Sequence, residues 1–125
     1  MDKVLVVDDD QEIGFMLKLI LEHRGFSVTV LERAENLEEI ILRDNFDLIV
    51  LDMLIAGTKG TDVCTVLKSH PKIKSIPILM ITAFPDSEKI CLEAGADEFL
   101  SKPFEMKDLI SKINSSKNAS RKGIA

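Results

Sequence analysis

Three carboxylates, Asp8, Asp9 and Asp10, stand side by side directly behind the apolar run VLVV at residues 4–7. Adjacent like charges repel, and a carboxylate drawn toward a core loses hydration, so the arrangement is costly unless something offsets it. Further along, Asp52 follows LIVL, Thr82 closes ILMIT, and Lys102 comes shortly after EFL. A divalent cation would relieve the repulsion, and Mg²⁺ prefers oxygen ligands of this kind while retaining several waters. A carboxylate beside such a cation can attack phosphorus and form an acyl phosphate. The cation and a lysine would balance the charge on the transferring oxygens, and a threonine hydroxyl could donate to one of them. Each residue also has a plainer use when taken alone. The aspartates suit a solvated loop and a helix cap, Asp52 a turn, Thr82 a strand-end amide, and Lys102 the surface. The choice turns on whether the fold gathers them at one edge.

The elements that would position them are legible as short continuous apolar runs: VLVV at 4–7, VTVL at 28–31, LIVL at 48–51, ILMI at 78–81 and a weaker EFL at 98–100. Continuous rather than alternating hydrophobicity marks strands covered on both faces, as in a parallel sheet. Helical spacing fills the gaps. Ile13, Met16, Leu17, Ile20 and Leu21 share one stripe, and Gly25 supplies a stop. Leu37, Ile40 and Ile41 mark a second helix, and Val63, Val66 and Leu67 a third. Ile90 and Ala94 before Gly95 support a fourth, and Met106, Leu109, Ile110 and Ile113 mark the last. Five alternating β and α units predict a doubly wound five-stranded parallel sheet of flavodoxin-like order 2-1-3-4-5, with helices on both faces. Ligands of such sheets bind outside the carboxyl ends of the strands. Asp8, Asp9, Asp52, Thr82 and Lys102 all fall there.

The composition narrows the function classes. A chain of 125 residues with 46% hydrophobic and 30% charged residues suits one folded domain. Its net charge of -5 argues against nucleic-acid or membrane-surface binding, which calls for a basic face. No apolar run has the length of a membrane span and the first residues lack a signal-peptide pattern, so a cytoplasmic location is expected. Cys64 and Cys91 have neither CxxC spacing nor His companions and read as buried, reduced thiols. His23 reads as a cation near a helix C-terminus. Residues 1–115 form the expected domain, and 116–125 a polar, basic tail or the start of a linker.

The ordered set VDDD, LDMLIAGTKG, ITA and GADEFLSKPF resembles the receiver domain of bacterial two-component response regulators, over roughly residues 3 to 113. That resemblance implies Asp52 as phosphoacceptor and Asp8, Asp9, Asp52 and the Leu54 backbone carbonyl around Mg²⁺ (or Mn²⁺). It implies phosphate binding by Thr82, the Ala83 backbone and Lys102, a switch made of Thr82 and Phe99, and a cis peptide before Pro103. The implied function is signalling rather than enzymatic turnover of a substrate: phosphoryl transfer from a kinase phosphohistidine to Asp52. The implied partners are a sensor histidine kinase or phosphotransfer protein, and a target or second copy on the 86–114 face. Asp10 falls outside the matched pair and reads as the N-cap of the first helix. Two positions depart from the family pattern: Ala56 stands where proline is usual, and Lys59 where an acidic residue is usual.

Three other readings compete. An aspartate-nucleophile phosphohydrolase of the haloacid dehalogenase type needs a second carboxylate two residues after the nucleophile, and Leu54 cannot transfer a proton. A flavodoxin-like FMN binder needs a hydroxyl- and glycine-rich loop after the first strand, where DDDQEI would repel phosphate. A phosphorylation-independent docking module would not need every acceptor-site residue, and all are present.

Overall fold

The computed structural model describes residues 2–84 and 86–124, the last stretch from 117 through its backbone alone. The chain alternates strands and helices: β1 (Lys3–Val7), α1 (Gln11–His23), β2 (Ser27–Leu31), α2 (Leu37–Asp44) and β3 (Leu48–Asp52). A two-residue pair, β4 (Leu54–Ile55) and β5 (Thr58–Lys59), precedes α3 (Gly60–Ser69), β6 (Ile78–Thr82), α4 (Glu88–Glu93), β7 (Glu98–Ser101) and α5 (Met106–Ile124). Five strands form one parallel sheet in the order β2-β1-β3-β6-β7. Counted over the sheet's own strands, this is the expected order 2-1-3-4-5.

The continuous apolar runs follow from two covered faces. Successive strand residues point to opposite sides, so Val4, Val6, Leu48, Val50, Leu79 and Ile81 join Leu17 and Leu21 of α1 and Leu109 and Ile113 of α5 in one core. Leu5, Val7, Ile49, Leu51, Ile78 and Met80 join Leu37, Ile41, Cys64, Leu67 and Cys91 of α2, α3 and α4 in the other. Both cysteines are buried and free, and burial pushes the Cys64 thiol up to about 11. Fully burying one such aliphatic side chain contributes about 1.5–3 kcal/mol, so the strands are held from both sides and their ends are fixed points.

Register aligns those ends. Val7 pairs with Leu51, Asp52 with Ile81, and Thr82 with Ser101. Asp8 and Lys102 continue the ladder one step further, through Asp8 N–H to the Leu31 carbonyl at 3.0 Å and Lys102 N–H to the Thr82 carbonyl at 2.7 Å. Asp10 caps α1: its side chain accepts from the amides of Glu12 and Ile13, which satisfies two of the helix's unpaired donors. Gly25, at φ 93, ends that helix. α5 runs on to Ile124, so the change of composition after residue 115 coincides with no break in the helix. Among the described residues, no helix is long and apolar enough to cross a membrane.

Candidate functional site

At the carboxyl edge of the sheet, oxygens of Asp8, Asp9 and Asp52 lie within 4.8 Å of one another. Asp8 has no exposed surface and Asp52 is 7% exposed, whereas Asp9 faces solvent. Lys102 Nζ stands 3.1 Å from Oδ2 of Asp8 and 3.3 Å from Oδ1 of Asp52. Backbone amides hold the rest of the cluster. Asp10 N–H donates to Asp8 Oδ1 at 2.9 Å, Met53 N–H to Asp52 Oδ1 at 2.9 Å, and Ala56 N–H to Asp9 Oδ2 at 2.8 Å. One ammonium against three carboxylates leaves the site negative.

The electrostatics follow from that imbalance. Burial, and next the neighbouring Asp8 charge, push the Asp52 carboxyl up to about 6, with Lys102 acting in the opposite sense. Burial alone would lower the Lys102 pKa; Asp8 and Asp52 outweigh it and hold the ammonium above the ordinary lysine value. A buried carboxylate that is hard to ionise yet sits among oxygen donors is one that a divalent cation would stabilise. The donor set, hard oxygens at mutually short distances, therefore fits Mg²⁺ or Mn²⁺, with Asp8, Asp9 and Asp52 as the residues that would hold it.

Thr82 ends β6 with no exposed surface. Its hydroxyl donates to Met53 Sδ at 3.3 Å and accepts from Phe84 N–H at 2.9 Å, with Ser87 Oγ at 3.5 Å. Ser87 gives its own proton to the Phe84 carbonyl at 2.7 Å. Ala83 is exposed beside Thr82. Phe99 pairs with Met80 in the sheet and packs, half-buried, against the core under α2, α3 and α4. The Lys102–Pro103 peptide is cis.

The loop after Asp52 holds what sequence reasoning did not find. Residues 54–59 form a two-residue hairpin: Leu54 pairs with Lys59 and Ile55 with Thr58. Ala56 at φ 49 and Gly57 at φ 86 make the turn, and two successive positive φ values are the signature of a type I′ connection. Proline, fixed near -65° and without an N–H, could occupy neither this conformation nor the contact to Asp9. Gly60 is required for a different reason. A Cβ there would meet the Asp52 carbonyl oxygen at 2.0 Å, so only glycine lets α3 start against the strand that carries Asp52. The apolar pair LI, followed by Ala-Gly and then TK, was the available signal for the hairpin.

Comparison with known proteins agrees with this geometry. Residues 4–114 match the response regulator receiver domain family. The chain belongs to that family. As a receiver domain it is 35% identical over 112 residues to the transcriptional regulatory protein GltR of Pseudomonas aeruginosa, a match spanning 88% of this chain and 46% of GltR. It is 34% identical over 113 residues to the DNA-binding response regulator MtrA of Mycobacterium leprae, spanning 89% of this chain and 49% of MtrA. The chain thus spans about half the length of these curated relatives. Among solved structures, a CheY-like receiver domain from Methanospirillum hungatei superposes with a TM-score of 0.85 at 28% identity, covering 98% of each chain. The beryllofluoride-activated N-terminal receiver domain of Klebsiella pneumoniae RstA gives 0.83 at 26% identity, covering 93% of this chain and 98% of that one. The receiver domain is thus a signalling module of two-component response regulators, a class that works with histidine kinases.

Proposed function

We propose that this receiver domain takes a phosphoryl group onto Asp52 from a kinase phosphohistidine, and that the modified aspartate switches the face formed by residues 86–114. The observation that carries this reading is the juxtaposition of Asp52 with Asp8, Asp9 and Lys102 at one sheet edge. An Asp52 carboxylate oxygen attacks phosphorus, the P–O bond forms as the P–N bond breaks, and the imidazole leaves with its electron pair and takes a proton from water. Mg²⁺, when bound, supplies positive charge to the transferring oxygens and keeps Asp52 ionised. Asp8, Asp9 and Asp52, with the Leu54 carbonyl, would hold it. Lys102, already 3.3 Å from Asp52, is placed to pair with the phosphoryl group once it arrives.

Fully buried Thr82 ends β6, and half-buried Phe99 lies on the adjacent strand β7, which contacts α4 and α5. In the phosphorylated state Thr82 turns to donate to a phosphoryl oxygen beside the Ala83 amide, and Phe99 takes the space it leaves. The exposed face then binds a target or a second copy of the chain. The reading places the domain in the cytoplasm, where kinase and phosphodonor reside.

The test compares amide NMR spectra with and without beryllofluoride and Mg²⁺. Shifts spreading over residues 86–114, with a change in oligomeric state or partner binding, support the switch. Shifts confined to residues touching the ligand, with no change in either, contradict it.

A further inference from the structure

Thr82 donates its one proton to the thioether of Met53. A hydroxyl has a single proton to give, so Thr82 cannot donate to Met53 and to a group on Asp52 at once. A turn of the whole Thr82 side chain away from Met53 also takes from Phe84 N–H the oxygen it reaches at 2.9 Å. Ser87 bonds to the same residue: its hydroxyl donates to the Phe84 carbonyl at 2.7 Å, and Ser87 is itself 3% exposed. Ser87 in turn begins α4, its carbonyl accepting from Cys91 N–H at 3.0 Å. A chain of bonds therefore runs from Met53, which directly follows Asp52, through Thr82, Phe84 and Ser87 into the first turn of α4.

We propose that Met53 and Ser87 are positioning residues: Met53 latches the Thr82 hydroxyl in its resting place, and Ser87 relays its release to α4. This rests on Asp52 as phosphoacceptor and Thr82 as switch, and it adds what sets the balance between the two states. Sulfur is a weak acceptor, which suits a latch that a charged phosphoryl oxygen must outcompete. The bond has a direct cost for activation, because whatever stabilises the resting hydroxyl must be given up. It also supplies a route to α4 that does not pass through Phe99, a residue with no hydroxyl to carry a hydrogen bond.

The test uses beryllofluoride with Mg²⁺ as the probe and amide NMR titration as the readout, since the chain has no Trp or Tyr for fluorescence. Met53→Leu keeps the volume and removes the acceptor. Thr82→Val removes the donor at constant shape, and Ser87→Ala breaks the relay. Met53→Leu is expected to bind the probe about threefold tighter than wild type, the scale of one modest hydrogen bond. In the Thr82→Val background the same substitution should have no effect. Ser87→Ala should bind the probe while the shifts of residues 88–93 fall to half or less. Equal or weaker binding by a folded Met53→Leu protein, an undiminished effect in the Thr82→Val background, or unchanged α4 shifts in Ser87→Ala overturns the latch. Failure of the underlying reading looks different: wild type itself then fails to bind the probe, or binds it unaffected by Thr82→Val, and the latch falls with it.

Discussion

Lys102 Nζ lies 3.1 Å from Oδ2 of Asp8, a carboxylate with no exposed surface. Lys102 partly offsets the charge of two buried carboxylates, since it also lies 3.3 Å from Asp52. Lys102→Ala leaves Asp8 and Asp52 buried together without their cation, and breaking a buried pair in this way costs about 3–5 kcal/mol. Protonation of Asp52, whose carboxyl is already pushed up to about 6, can relieve that cost, so the loss of stability should be largest at pH 8 and shrink toward pH 5. Thermal unfolding across that range checks it; a loss independent of pH contradicts it. The variant should also transmit phosphorylation poorly, because the phosphoryl charge has lost its partner.

Burial, and next the Asp8 charge, push the Asp52 carboxyl from its ordinary 3.8 up to about 6. The folded pKa is raised, so between these values the native state holds more protons than the unfolded one, and stability falls as pH rises through the window. Without divalent cation, wild type should therefore be less stable at pH 7.5 than the titration of its other groups dictates, by on the order of 1–3 kcal/mol. Asp52→Asn removes this penalty. With chelator present, its melting temperature should exceed that of wild type at pH 7.5, and the gap should close by pH 4.5. Mg²⁺ should stabilise wild type more than Asp52→Asn.

Ala56 occupies the left-handed region at φ 49, which costs an L-residue roughly 1–2 kcal/mol. Glycine adopts that conformation freely and keeps the N–H that Asp9 accepts. Ala56→Gly should raise stability by about 1 kcal/mol, less the entropy that glycine adds to the unfolded chain. Chemical denaturation at constant slope measures it, and a destabilised Ala56→Gly protein would show that the turn is unstrained.

Leu54 and Phe84 are both exposed and line one groove of about 380 Å³ together with Met53, Lys59, Thr61 and Ile90. Hydrolysis of an acyl phosphate on Asp52 needs a water in line with phosphorus, and neither side chain can orient one. Slow loss of the phosphoryl group is expected. Leu54→Asn combined with Phe84→Glu should speed it several-fold in a chase after phosphorylation; an unchanged or slower decay counts against the assignment.

The sheet was legible because burial on both faces writes itself as unbroken apolar runs, and the strand ends then located Asp8, Asp9, Asp52, Thr82 and Lys102 at one edge. Asp10 was legible as a cap because a short acidic side chain before a helical stripe has few other roles. Ala56 was not legible in this way. Nothing in its side chain signals a positive φ, and its contact to Asp9 is made by a backbone amide that every residue except proline carries. Met53 and Ser87 escaped for a related reason: a thioether and a hydroxyl become specific only when the fold sets them against Thr82. Side-chain chemistry at strand ends is thus encoded locally, whereas backbone donors and weak acceptors acquire meaning through tertiary placement.

The most direct measurement of the central claim is intact mass after incubation with acetyl phosphate and Mg²⁺. Wild type should gain the mass of one phosphoryl group, lose that gain when a chelator is present, and Asp52→Asn should gain none. Equal uptake by wild type and Asp52→Asn, or uptake indifferent to the chelator, would contradict Asp52 as a metal-assisted phosphoacceptor.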